Sequence, residues 1–195
     1  MLYLILGGAR SGKSDFAERL AADSGRPVLY AATMEPGDEE MRDRIAKHRA
    51  SRPASWRTVE APRDLPRHLK AAAQPGDFVI LDCVTLWLTN LLLDLLPDAE
   101  QPRAEDVPAA LDRIADEVTS LLGWVRLHSG DVAVVSNEVG MGLVPPYPLG
   151  RVFRDALGAA NRRIATRADE TYLLVAGLVL PLRALGAASI DHRDA

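Results

Sequence analysis

The sequence predicts an α/β fold, a three-layer sandwich on a mostly parallel central sheet. Short apolar runs alternate with helical patterns along the chain. The runs are continuous rather than alternating, as strands buried on both faces should be. The first of them passes straight into a glycine loop and a helix, "LILGGARSGKS" from Leu4 to Ser14. One domain is expected over residues 1–195, because no repeat, low-complexity tract or shift in composition divides the chain.

Taken in order, strands are expected at Leu2–Leu6, Val28–Ala32, Phe78–Leu81, Val132–Val135 and Thr171–Ala176, with a last one near Leu178–Leu182. Helices are expected at Lys13–Asp23, Asp38–Ala50, Asp64–Ala73, Thr85–Leu95, Ala104–His128 and Gly150–Arg167. Polar or Gly/Pro-rich breaks fall at Glu35–Asp38, Pro97–Asp106 and Gly140–Gly150. A strand–helix–strand rhythm of this kind makes crossovers, and hence parallel strands. Ligands of such sheets bind beyond the carboxyl ends of the strands.

Composition sets the outer bounds. At 195 residues, 48% hydrophobic and 5% aromatic, the chain can bury an ordinary core. A net charge of −4 argues against nucleic-acid binding through a basic face. The one cysteine, Cys83, cannot form an internal disulfide, which points to a reducing compartment. The glycine loop begins at Gly7, leaving no room for a signal peptide before it. The longest apolar stretch, Tyr172 to Leu182, is too short to cross a bilayer and contains Gly177 and Pro181. A cytoplasmic protein without a membrane span is the expectation.

Gly7, Gly8, Ala9, Arg10, Ser11, Gly12, Lys13 and Ser14 fit the P-loop spacing. Glycines let successive N–H groups turn inward as a nest for phosphate oxygens, and the helix beginning near Gly12 adds the positive end of its dipole. Lys13, expected to face solvent or ligand, would reach the β- and γ-phosphates, and Ser14 would offer its hydroxyl to Mg2+. The bland alternative is a glycine turn between strand and helix. In "FVILDC" four apolar residues end in Asp82, as in a Walker B strand whose aspartate helps to hold magnesium. Asp82 also precedes a helix and could simply cap it. Cys83 reads as a small buried hydrophobe rather than a nucleophile.

The segment "DEEMRDRIAKHRASRP" sets the chain apart from ordinary P-loop kinases. Met41, Ile45 and His48 share one face of a helix, so His48 lies on the apolar stripe and Arg42, Lys47 and Arg49 on the solvated side. A histidine there is either a packed interface residue or a nucleophile. As a nucleophile, its neutral imidazole would attack phosphorus among Arg44, Arg49 and Arg52, cations that also favour the neutral ring. His68, His128 and His192 have no carboxylate or cysteine at metal-ligand spacing and read as surface residues.

"GGARSGKS", "YAAT", "DEEMRDRIAKHRASRPASWRTVE", "VILDCVTLWLTNLL" and "VVSNEVGMGLVP" occur together and in order. With them the chain resembles the bifunctional adenosylcobinamide kinase/adenosylcobinamide-phosphate guanylyltransferase family of cobalamin biosynthesis, from Met1 to about Leu182. The resemblance implies a P-loop NTPase fold of the RecA-like kind and a homotrimer. It implies phosphorylation of adenosylcobinamide by a nucleoside triphosphate, GTP or ATP, then transfer of GMP from GTP to adenosylcobinamide phosphate. It places the guanylylated histidine on His48. It places nucleotide contacts on Gly7–Ser14, on Ala32, Thr33 and Met34, on Arg49, Ala50, Ser51 and Arg52, on Glu60 and on Asp82, with Mg2+ on Ser14 and Asp82. Some relatives carry two adjacent histidines where this chain has Lys47 and His48; His48 keeps the spacing to Arg52 and Pro53.

Two other functions fit the same residues. One is a monofunctional P-loop kinase for another small metabolite, with His48 structural. The other is a non-catalytic nucleotide-binding module. The loop Asn137–Gly150 stays open between a substrate lid, a trimer contact and a plain connection.

Overall fold

A computed structural model describes residues 1–35, 37, 52–98 and 101–190. Seven strands form one sheet: β1 (Leu2–Gly7), β2 (Val28–Ala32), β3 (Arg57–Glu60), β4 (Phe78–Asp82), β5 (Asp131–Val135), β6 (Glu170–Val175) and β7 (Leu178–Pro181). Their order is β3-β2-β4-β5-β1-β6-β7. Every neighbouring pair is parallel except β6 and β7, which form an antiparallel hairpin at one edge. The described helices are α1 (Lys13–Asp23), α2 (Leu65–Ala72), α3 (Val84–Leu95), α4 (Val107–Leu127) and α5 (Pro148–Arg167). The sheet is therefore mostly parallel, as the sequence predicts. The helix expected over Asp38–Ala50 lies outside the described residues.

The strands are apolar without alternation because both faces are covered. Leu4, Leu29, Ala31, Val79, Leu81, Val132 and Val134 pack with residues of α2 to α5 in one buried cluster. Their neighbours Ile5, Val28, Tyr30, Phe78, Ile80, Ala133 and Val135 pack with Ala17 and Ala21 of α1 in a second. Successive strand residues point to opposite faces, so each run feeds both cores.

β3 is a strand the apolar pattern does not reveal. "RTVE" is only four residues long, sits at the sheet edge and is nowhere fully buried. It is held by register pairing with β2, Ala32 opposite Glu60, and by Arg57, which ion-pairs with the buried Asp77. His128, expected at the surface, is instead half-buried: its Nε2 lies 2.9 Å from the Asp77 carbonyl and its ring stacks on Trp124. A histidine ending a helix can reach the loop before a neighbouring strand, here β4, which periodicity alone does not show.

No described helix is long and apolar enough to cross a membrane.

Candidate active site

The carboxyl ends of β1, β2, β4 and β5 bring Gly7, Ala32, Asp82 and Val135 to one edge of the sheet. At the end of β1 the chain turns sharply at Gly7, with φ +153°. A Cβ there would lie 2.4 Å from the Leu174 carbonyl oxygen and 2.7 Å from Ser11 Oγ, so a side chain has no room. Gly12, with φ +90°, then lets the loop enter α1, where the Phe16 N–H donates to the Gly12 carbonyl. Gly8, Ala9 and Arg10 are exposed, and Ser11 is buried with its hydroxyl making no hydrogen bond. The result is a strand–loop–helix with an open rim and the amino end of α1 behind it, the geometry that receives phosphate.

Of the two placements the sequence allows Lys13, facing solvent or facing ligand, the first does not hold. Lys13 is 8% exposed, and its Nζ donates to the Gly8 carbonyl at 2.6 Å, folding back across the loop. Burial holds its ammonium below the usual lysine range, against an opposing pull from Cys83 and from the Asp82 carboxylate. A phosphate in the loop would supply the counter-charge that the buried cation lacks.

Asp82 ends β4, one strand beyond β5 from the P-loop strand. The capping alternative fails: Cys83 is the N-cap of α3, and no side chain caps that helix. Asp82 Oδ2 instead accepts a 2.5 Å hydrogen bond from the Tyr30 hydroxyl. The adjoining backbone is fixed by Thr33, whose N–H donates to the Asp82 carbonyl. The Thr33 hydroxyl accepts from the Cys83 N–H and donates to the Cys83 carbonyl, each at 2.7 Å. Thr33 is fully buried and Asn90 donates to its carbonyl, so its side chain is committed to the fold. The peptide between Asp82 and Cys83 is cis. Cys83 is buried, and burial followed by the Asp82 charge pushes its thiol up to about 11, which fits the inert role expected of it.

Ser14, the second residue of α1, is half-buried beside the loop. A serine hydroxyl and an aspartate carboxylate are hard oxygen donors of the kind magnesium takes. Among the described residues no cluster of three or more His, Cys, Asp or Glu side chains could hold a metal alone. That donor set fits an ion that arrives on nucleotide phosphates, with the protein adding one or two ligands.

Arg52 lies with its guanidinium 3.3 Å from the Tyr30 ring centroid and its Nε 3.7 Å from Glu18 Oε1 on α1. Met34 is half-buried, and Glu60 stands exposed at the end of β3. The structure thus gathers the P-loop, Ala32–Met34, Arg52, Glu60 and Asp82 at one end of the sheet. His48, Arg49, Ala50 and Ser51 lie outside the described residues.

The start of the Asn137–Gly150 loop belongs to this end of the sheet as well. The Glu138 N–H donates to the Gly7 carbonyl at 3.2 Å, and the Asn137 N–H donates to Thr85 Oγ1 at 2.9 Å. Ser136 donates to Asn161 Oδ1, and Asn161 Nδ2 donates to the Asn137 carbonyl. Beyond this anchored start, Met141, Leu143, Val144 and Tyr147 are exposed.

Sequence reasoning missed Tyr30, Thr33 as a backbone clamp, and Asn161. Tyr30 left one signal: a hydroxyl inside a run buried on both faces needs a partner. A cavity of about 790 Å³ lies elsewhere, at the amino ends of β1 and β5, and no P-loop residue lines it. Two of its arginines, Arg126 and Arg167, stand in the last turns of α4 and α5, where a cation offsets the helix dipole.

A family model described as cobinamide kinase/cobinamide phosphate guanyltransferase matches residues 3–182. The chain is 47% identical over 183 residues to the bifunctional adenosylcobalamin biosynthesis protein CobP of Pseudomonas aeruginosa, covering 94% of this chain and 98% of that one. It is 43% identical over 183 residues to the CobU protein of Escherichia coli, which bears the same bifunctional description, covering 94% of this chain and 100% of that one. Among solved structures it resembles an ATPase of a bacterial type III secretion system, with a TM-score of 0.53 at 13% identity, covering 98% of this chain and 59% of that one. That last likeness concerns the fold alone. The chain belongs to the cobinamide kinase/cobinamide phosphate guanyltransferase family.

Proposed function

We propose, from membership of that family, that the chain phosphorylates adenosylcobinamide with a nucleoside triphosphate and then transfers GMP from GTP to the resulting phosphate through guanylylated His48. The observation that carries this reading is the buried Lys13, folded over an open P-loop rim with Asp82 close enough to bear on its charge. Such a cradle is built for a polyphosphate, and family membership supplies the acceptor.

In the transferase half, the His48 imidazole attacks the α-phosphorus of GTP. The N–P bond forms as the bond to pyrophosphate breaks, and the imidazole sheds its proton. Loop amides and Lys13 hold the departing pyrophosphate. Mg2+, which Ser14 and Asp82 would hold with the phosphates, neutralises charge when bound. A phosphate oxygen of the corrinoid then attacks the same phosphorus, the N–P bond breaks, and adenosylcobinamide-GDP leaves with His48 restored. In the kinase half the same cradle orients the γ-phosphoryl toward the corrinoid hydroxyl. Positioning and charge supply most of the catalysis of such transfers. Ala32, Met34, Arg49–Arg52 and Glu60 complete the nucleotide contacts. The working form is a cytoplasmic homotrimer of a single-domain chain.

Incubation with α-labelled GTP tests this. Label on the protein that acid removes and base does not marks a histidine phosphoramidate. No protein label, in a preparation that binds GTP and phosphorylates the corrinoid, would leave the kinase half alone, with His48 structural. Binding without either transfer would leave only the nucleotide-binding module.

A further inference from the structure

We infer that Tyr30 is a positioning residue for Asp82, holding one carboxylate oxygen so that the other faces the nucleotide. This rests on the reading that Asp82 serves the magnesium–nucleotide site.

Tyr30 is 1% exposed within β2, and its ring belongs to the core beneath α1. A buried hydroxyl is costly unless bonded, and phenylalanine would fill the same space without that cost. The hydroxyl is satisfied by Asp82 Oδ2 at 2.5 Å, which leaves Oδ1 outside that bond. Asp82 is half-buried at the last position of β4, so its side chain would otherwise rotate at a strand end. Thr33 already fixes the backbone that follows it, at the Asp82 carbonyl and at the Cys83 N–H and carbonyl. Tyr30 fixes the remaining freedom, the carboxylate rotor.

The ring is itself located from the other side. The Arg52 guanidinium covers its face, with the Arg52 side chain 9% exposed and flanked by Glu18. A cation on the face of a phenol draws electron density from the ring and strengthens its hydroxyl as a donor. One hydrogen bond and one stack therefore connect Arg52 to the carboxylate beside the P-loop.

Tyr30→Phe keeps the ring and its stack and removes only the hydroxyl. The readout is binding of a fluorescent GTP analogue titrated with Mg2+, with Asp82→Asn as the benchmark. In Tyr30→Phe the Mg2+ concentration for half-maximal tight binding should rise about tenfold, as loss of a hydrogen bond to a charged group implies. Binding without Mg2+ should stay near wild type, and the melting temperature should fall only by what the loss of one such bond implies. A core tyrosine with no further role would move the melting temperature and not the Mg2+ titration. If Asp82→Asn shifts the titration and Tyr30→Phe does not, the positioning role is overturned. If neither shifts it, the reading of Asp82 itself falls, and this inference with it.

Discussion

The Lys13 ammonium and the Gly8 carbonyl close a 2.6 Å hydrogen bond across the loop that the two residues frame. A cation so placed has exchanged water for a single carbonyl, and burial lowers its pKa accordingly. An arriving polyphosphate repays that loss, since the anion can take over the ammonium. Lys13→Ala should therefore leave a folded protein with both reactions strongly depressed. Removing one desolvated charged contact of this kind costs about 2–5 kcal/mol. Calorimetric titration with GTP, beside a thermal melt, checks it. Near-normal affinity and turnover in a folded variant would take the P-loop out of the mechanism.

Gly7 and Gly8 are adjacent and should respond differently to alanine. A methyl at Gly7 meets the Leu174 carbonyl, part of β6, which cannot move without unpairing from β1. Gly8 has nothing within 4 Å of such a methyl. Gly7→Ala should destabilise the fold by about 1–3 kcal/mol and weaken nucleotide binding. Gly8→Ala should melt within a few degrees of wild type. Equal melting curves for the two would show that β6 does not constrain the loop.

Cys83 should resist alkylation in the folded chain. Its thiol, pushed up to about 11 from an ordinary 9.0, is almost wholly protonated at pH 8 as well as buried. A maleimide should react with it only on unfolding, so modification should track denaturation. The contribution of this group is fully present below pH 9 and is lost as pH rises toward 11. Rapid modification at pH 8 by a folded sample would contradict the burial.

The parts most legible in the sequence are those where one signal serves both fold and chemistry. The run Leu2–Leu6 followed by Gly7 and Gly12 announces a strand, a turn that only glycine fits and a helix start, and the structure has all three. β4 is read equally well, because burial on both faces makes Phe78–Leu81 continuous. β3 is not, since a four-residue edge strand needs no apolar run. Long-range partners are the other gap. Nothing local says that Tyr30 will meet Asp82, 52 residues on, or that Asn161 will anchor the loop after β5. Such pairs depend on strand order, which places β2 beside β4 and is not written in periodicity.

His48→Asn separates the chemical reading from the structural one. Asparagine keeps a polar group and much of the volume, so a histidine that merely packs should be replaced at about 1–2 kcal/mol of stability. An amide nitrogen forms no phosphoramidate, so a nucleophile cannot be replaced in this way. The variant should fold, bind GTP through the intact P-loop, take up no GMP from α-labelled GTP and make no adenosylcobinamide-GDP. Its kinase reaction should largely persist, because the γ-phosphoryl passes directly to the corrinoid hydroxyl without visiting the protein. Both activities must be measured on one preparation alongside a thermal melt. Loss of both with a lowered melting temperature would point to a packing role. Retention of both would remove His48 as nucleophile, and with it the covalent route from GTP to the corrinoid phosphate.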